Sequence, residues 1–142
     1  MTNILLPVDG SENALRAVHH FIKTRTAYRG PVSLHLLNVQ LPVASGLVRS
    51  FISKSQLDDY YRDEGIAALA EARAALDAQK VDYQHHIGVG ELAATILAYA
   101  REKRCDVIIM GTHGRTALKG ALLGSVASRV LHEAPMAVLL VR

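Results

Sequence analysis

The residues best suited to chemistry lie in two short stretches. Toward the end of the chain, 108–130 reads IIMGTHGRTALKGALLGSVASRV. Gly111 is followed after two residues by Gly114, and after nine more by Gly124-Ser125. Glycine lacks a Cβ, so its backbone N–H can approach an anion closely, at a cost in chain entropy. If a helix starts at Ser125, its first N–H groups are unpaired and its dipole favours negative charge by roughly 0.3–1 kcal/mol. The Ser125 hydroxyl adds a donor, and Arg115 and Lys119 add positive charge. Hydrogen bonds to charged groups contribute about 1.5–3 kcal/mol each. Near the other end, Pro7-Val8-Asp9 places a carboxylate directly after an apolar run. That carboxylate can accept from two hydroxyls or cap a helix. Composition and spacing leave open whether the glycine loop cradles an anion or only turns the chain.

Two other phosphate motifs fail on spacing or charge. A P-loop needs Gly before Lys, and here the order is Lys119-Gly120. The pattern G-x-G-x-x-A occurs as Gly88-Val89-Gly90-Glu91-Leu92-Ala93. Its acidic ribose partner should end the following strand, but Asp106 stands at that strand's start. Glu91 would also set a negative charge where a pyrophosphate should sit. Gly88 and Gly90 therefore read as a tight strand-to-helix turn, with Glu91 complementing the helix dipole.

The elements that hold these stretches follow from periodicity. Ile4–Val8 is an apolar strand. Ala14, Leu15, Val18, Phe21 and Ile22 recur at helical spacing, between a start at Ser11 and a stop at Gly30-Pro31. Val32–Val39 is a second buried strand, and 40–54 shows no period. A helix of about two dozen residues begins near Gln56, with Ser55 and Asp58 as a capping box and Leu57, Tyr61, Ala68, Ala72 and Leu76 as its stripe. Residues 81–87 alternate as a half-buried edge strand, setting Val81, Tyr83, His85 and Ile87 against Asp82, Gln84 and His86. A third helix buries Leu92, Ala93, Ile96, Leu97 and Ala100. A strand over 106–110, a helix over Ser125–Glu133 and a strand over Met136–Val141 complete the chain. The alternation predicts one α/β domain over 1–142, with a parallel sheet and helices on both faces. Ligands of such sheets sit beyond the carboxyl ends of the strands.

The bulk numbers exclude several classes. The chain has 142 residues, half of them hydrophobic, and a net charge of +3 without basic runs. Only two Phe and no Trp are present, so a base-stacking platform is not expected, nor is a nucleic-acid partner. No window is long and apolar enough to span a membrane. The single Cys105 and the absence of a leader pattern suggest a cytoplasmic protein. Seven histidines include the adjacent pairs His19-His20 and His85-His86, whose side chains point apart. No metal site is expected from them. His113 reads as a solvated loop residue and Tyr60 as surface.

The motif G-x2-G-x9-G-[ST] after VIIMG, with PVDGSENA before it and HEAPMAVLLVR at the end, resembles the universal stress protein family along Ile4–Val141. The resemblance implies a Rossmann-like, five-stranded parallel sheet of order 3-2-1-4-5. It implies a bound adenine nucleotide: ATP, with ADP or AMP as alternatives. On chemical grounds, a Mg²⁺ accompanying the nucleotide would bridge its phosphates through waters and Ser125. Carried over by position, Pro7, Val8 and Asp9 border base and ribose, and the Val39 backbone reads adenine. Met110, Gly111 and Gly114 form the fourth strand and loop; Gly124, Ser125 and Val126 take the phosphates, and Arg115 is a further candidate. It also implies a homodimer through Met136–Val141. Two departures stand out: Gly120 replaces a larger or basic residue, and IGVGE replaces an acidic-Pro sequence. With no nucleophile–base–orienter set, little or no turnover is expected. A slow ATP-hydrolysing or phosphate-transferring enzyme and a dimeric interaction protein with a vestigial site remain the alternatives.

Overall fold

The structure, a computed structural model, describes residues 1–43, 46–114 and 122–142, leaving out the side chains at 48 and 49. In chain order it contains β1 (Thr2–Pro7), α1 (Glu12–Thr24), β2 (Val32–Gln40), α2 (Gly46–Phe51), α3 (Lys54–Ala78), β3 (Gln84–Val89), α4 (Leu92–Glu102), β4 (Val107–Gly111), α5 (Ser125–Glu133) and β5 (Ala137–Val141). The five strands form one parallel sheet in the order β3-β2-β1-β4-β5.

β1 takes the centre because it is apolar on both sides. Ile4, Leu6 and Val8 pack with Leu34 and Leu36 against Phe21 of α1 and Leu69 of α3. Leu5 and Leu37 face the other way, with Ile108 and Met110, onto Ile96 and Leu97 of α4 and Val130 of α5. Each fully buried aliphatic side chain contributes about 1.5–3 kcal/mol relative to an exposed one. The β1–β4 seam is clipped at its start. Asp106 accepts from the Asn3 N–H (2.8 Å) and donates its own N–H to the Asn3 carbonyl (2.7 Å). The Asn3 amide also donates to the Arg104 carbonyl at 3.1 Å.

Three local expectations are corrected. The capping box of α3 is Ser53 with Gln56, not Ser55 with Asp58. Gln56 can return a bond to the Ser53 N–H (3.0 Å) while Ser53 accepts from the Gln56 N–H (3.1 Å), so both orphan donors are satisfied two residues earlier. The stretch expected to lack structure holds the short α2. Leu47 and Phe51 of this helix are exposed, and ahead of it the Tyr61 hydroxyl accepts from the Val43 N–H at 2.8 Å. On β3 the alternation fails at the histidines: His85 is exposed and His86 is half-buried. Both faces of this edge strand are covered, Ile87 packing with the α1–α3 side and His86 meeting Tyr99 of α4. Among the described residues, no helix is long and apolar enough to cross a membrane.

Candidate functional site

The connection after β1 enters α1 on one face of the sheet, and the connection after β4 enters α5 on the other. The two loops diverge and leave a crevice at the carboxyl ends of the strands. A cleft of about 420 Å³ opens there, within the range of small-ligand sites. Pro7, Val8 and Asp9 line it from β1, Val39 from β2, and Met110 and Gly111 from β4. Gly114, Gly124, Ser125 and Val126 close it from the β4–α5 connection. The structure thus brings together every candidate residue except Arg115, which, like Lys119 and Gly120, lies outside the described residues.

Asp9 is not the cap of α1. Ser11 holds that position, its hydroxyl accepting from the Ala14 N–H at 3.2 Å. Asp9 instead accepts from the Ser11 N–H at 2.9 Å through Oδ1, which fixes the carboxylate at the strand end. Its Oδ2 would lie 2.8 Å from a Cβ at Gly114, so the opposite loop runs directly against this carboxylate and glycine permits it.

The other glycines have separate reasons. A Cβ at Gly111 would meet the Asn13 carbonyl oxygen at 2.8 Å and its carbon at 2.9 Å. Gly111 therefore makes room for the first turn of α1, whose Asn13 side chain accepts from the His113 N–H at 3.4 Å. Gly124 is the N-cap of α5, and its N–H donates to the Thr112 carbonyl at 2.6 Å, closing the base of the loop. Among the described residues, side chains cap α1, α3 and α4, whereas none caps α5, whose first turn carries no acidic residue. The first N–H groups of α5 and the Ser125 hydroxyl thus form a donor cluster at the cleft.

Sequence reasoning missed part of the wall. Asn38 is 2% exposed, and its Nδ2 donates to the Val8 carbonyl at 2.8 Å. Gln40 Nε2 donates to Asn38 Oδ1 at 2.6 Å, so an amide relay ties the ends of β1 and β2 together. An asparagine inside the apolar run LHLLNV was the available signal. Tyr60 is 51% exposed, as expected of a surface residue, and with His113 and Glu64 it borders the cleft.

The second glycine motif is structural, but only Gly90 makes the expected turn: Gly88 lies within β3, close against Thr95 and Tyr99 of α4. Glu91 caps α4 by accepting from the N–H groups of Ala93 (3.2 Å) and Ala94 (2.8 Å), and it pairs with Arg129 of α5 at 2.7 Å. The Ala94 N–H foremost, joined by the Ala93 N–H and the Arg129 charge, holds its carboxyl below the usual range against the opposing effect of burial. A pyrophosphate's place is therefore occupied by a carboxylate. Glu91→Ala should lower the unfolding free energy by about 1 kcal/mol at neutral pH, as loss of a cap does. Because the folded carboxyl titrates below its ordinary 4.5, this contribution is present above that value and is lost as the pH falls through the lowered one. Urea unfolding of both proteins at neutral and strongly acid pH checks it: the difference should vanish in acid. Cys105 is buried, and burial, aided by Asp106, pushes its thiol up to about 11, so it is a packing residue and not a nucleophile.

A doubly wound α/β domain whose glycine-rich β4–α5 connection shares a cleft with the end of β1 is the class that fold and site define. The chain belongs to the universal stress protein family, whose sequence model matches residues 1–142. It is 32% identical over 140 residues to universal stress protein MJ0531 of Methanocaldococcus jannaschii, covering 98% of this chain and 81% of that one. It superposes on the solved structure of MJ0577 from the same organism with a TM-score of 0.83 at 29% identity, covering 99% and 94% of the two chains. A universal stress protein of Arabidopsis thaliana solved with AMP bound shares the fold at a TM-score of 0.68 and 17% identity, covering 99% and 91%.

Proposed function

We propose that the cleft binds an adenine nucleotide, ATP in the first place and ADP or AMP as alternatives, and that the protein acts through it as a cytoplasmic, nucleotide-dependent regulator or protective factor in stress. The observation that carries this reading is the facing of two unlike groups across one crevice. The fixed carboxylate of Asp9 suits two ribose hydroxyls, and the uncapped start of α5 suits phosphate. Val39 stands at the end of β2, where a base would lie between them. The fold itself holds AMP in the Arabidopsis protein. Mg²⁺, when it accompanies the nucleotide, would be held by phosphate oxygens, water and the Ser125 hydroxyl. Among the described residues, no group of three or more His, Cys, Asp or Glu is placed to hold a metal without the nucleotide.

Isothermal titration with ATP, ADP and AMP tests the reading, and absence of heat or thermal shift for all three at millimolar concentration would end it. Asp9→Ala should weaken ATP binding roughly tenfold, about 1.4 kcal/mol, by removing the ribose acceptor. Sustained phosphate release abolished by Ser125→Ala would instead favour the enzyme reading.

We further propose an isologous homodimer through β5. This strand ends the sheet, and Leu139 is 38% exposed on it, an apolar edge that pairing would cover. Light scattering at tens of micromolar should give a dimer, and Leu139→Lys should give a monomer. A monomeric wild type would contradict the proposal.

A further inference from the structure

Of the adjacent histidines on β3, the second turns inward. His86 lies on the sheet face that α4 covers, with its Nε2 3.0 Å from Nδ1 of His35 on β2. The ring centroids are 5.2 Å apart and the planes differ by 26°. Adding each nitrogen's distance from its own ring centre to the 3.0 Å contact reproduces that separation. The rings therefore meet edge to edge, nearly coplanar, through one N–H···N hydrogen bond, and not face to face. His35 is 6% exposed, and its Nε2 lies 3.3 Å from the Ser33 hydroxyl, which can donate or accept. Tyr99 of α4 covers His86, ring centroids 5.8 Å apart.

A nitrogen pair at this distance has room for one proton. With both rings neutral, one donates and the other accepts. With one ring charged, the imidazolium donates to its neighbour's lone pair. With both charged, two N–H groups face each other, the bond is gone and like charges adjoin. We propose that His35 and His86 form an acid-operated latch on the sheet edge: one shared hydrogen bond reinforces the ladder that pairs Gln84–Val89 of β3 with His35–Gln40 of β2 beneath α4, and entry of a second proton breaks that bond and loosens the edge.

The surroundings favour the closed form at neutral pH. Burial holds both imidazoles below the ordinary 6.5, followed for His35 by the Lys103 charge. For His86 the further causes are His35 itself, Lys103 and His85, with Glu102 acting the other way. Besides these groups, β2 contributes Ser33 and α4 contributes Tyr99. A histidine whose folded value is lowered binds protons more readily when unfolded. Its neutral form costs nothing above 6.5, and stability is lost as the pH falls below that value. The strand so held leads through Glu91 into α4, whose Leu92 and Ile96 line the cleft.

Histidine-resolved NMR titration of the full chain from about pH 8 to about pH 5, with amide hydrogen exchange in parallel, tests the latch. The expected result is two separated titration steps for His35 and His86, the lower below 6.5. Protection of the Gln84–Val89 amides, corrected for intrinsic exchange, should fall roughly tenfold or more through that lower step. His86→Gln keeps a polar partner for His35 but removes the second titration, so the pH dependence of protection should disappear. A single joint step at or above 6.5, unchanged protection through the lower step, or an undiminished fall in the variant would each overturn the proposal. Should the variant not fold, the titration of the unaltered chain decides.

Discussion

Gly124→Val should weaken ATP binding at least roughly a hundredfold, about 2.8 kcal/mol, while leaving the circular dichroism spectrum of the wild type. The backbone at Gly124 has φ −68° and ψ 161°, an extended conformation that valine adopts without strain. What changes is space. A Cβ there would lie 3.2 Å from the Thr112 carbonyl oxygen and 3.3 Å from the Cα of His113. Valine's two methyls extend beyond that Cβ, so they displace the loop base or enter the volume before the first N–H groups of α5. Either outcome removes the donors that a phosphate needs, and calorimetry with ATP reads the loss. Gly124→Ala should fall between the two proteins. Unchanged affinity in the valine variant would mean that phosphate is not held at α5.

Gly111→Ala should act on stability instead, lowering the unfolding free energy by about 3 kcal/mol in urea titration. The added methyl would press on the backbone of Asn13, with its carbonyl carbon 2.9 Å away, and backbone in the first turn of a capped helix cannot swing aside. Relief requires α1 to move away from β4, which would open the packing of Ala14, Val18 and Phe21 on Ile109. Thus two glycines of one motif should fail differently: Gly124 in binding, Gly111 in folding.

Sequence alone carried the architecture well because burial on both sheet faces leaves uninterrupted apolar runs. Ile4–Leu6 and Ile108–Met110 are such runs, and helices with one buried stripe separate them. The helix Ser125–Glu133 was legible to the residue because Gly124 and Pro135 bracket it. What escaped depended on register or on exposure. The contact of His35 with His86 exists only because β2 and β3 pair with His86 opposite Leu37, which brings its side chain diagonally onto His35. The place of the half-exposed Tyr60 at the cleft rim depends on how α3 is rotated over the sheet, and α2 shows Leu47 and Phe51 to solvent. At the site, glycine spacing marked the right residues but not their separate reasons. That Gly111 yields to Asn13 while Gly114 yields to Asp9 is a fact of three dimensions.

The clip between Asn3 and Asp106 spans 103 positions of sequence, and this has a consequence for the order of assembly. β1, β2 and β3 can pair through successive crossovers, but β4 must return across the whole of that first half to reach β1. Closing so long a loop is entropically slow, so the β1–β4 seam belongs to the late stages of folding. Asp9 stands on one side of that seam and Gly124 on the other. The cleft is therefore absent from any species in which only the first half has formed. An occupant bridging it stabilises the completed fold alone, and wherever the seam is still open in the transition state, it does so by slowing unfolding and not by speeding folding.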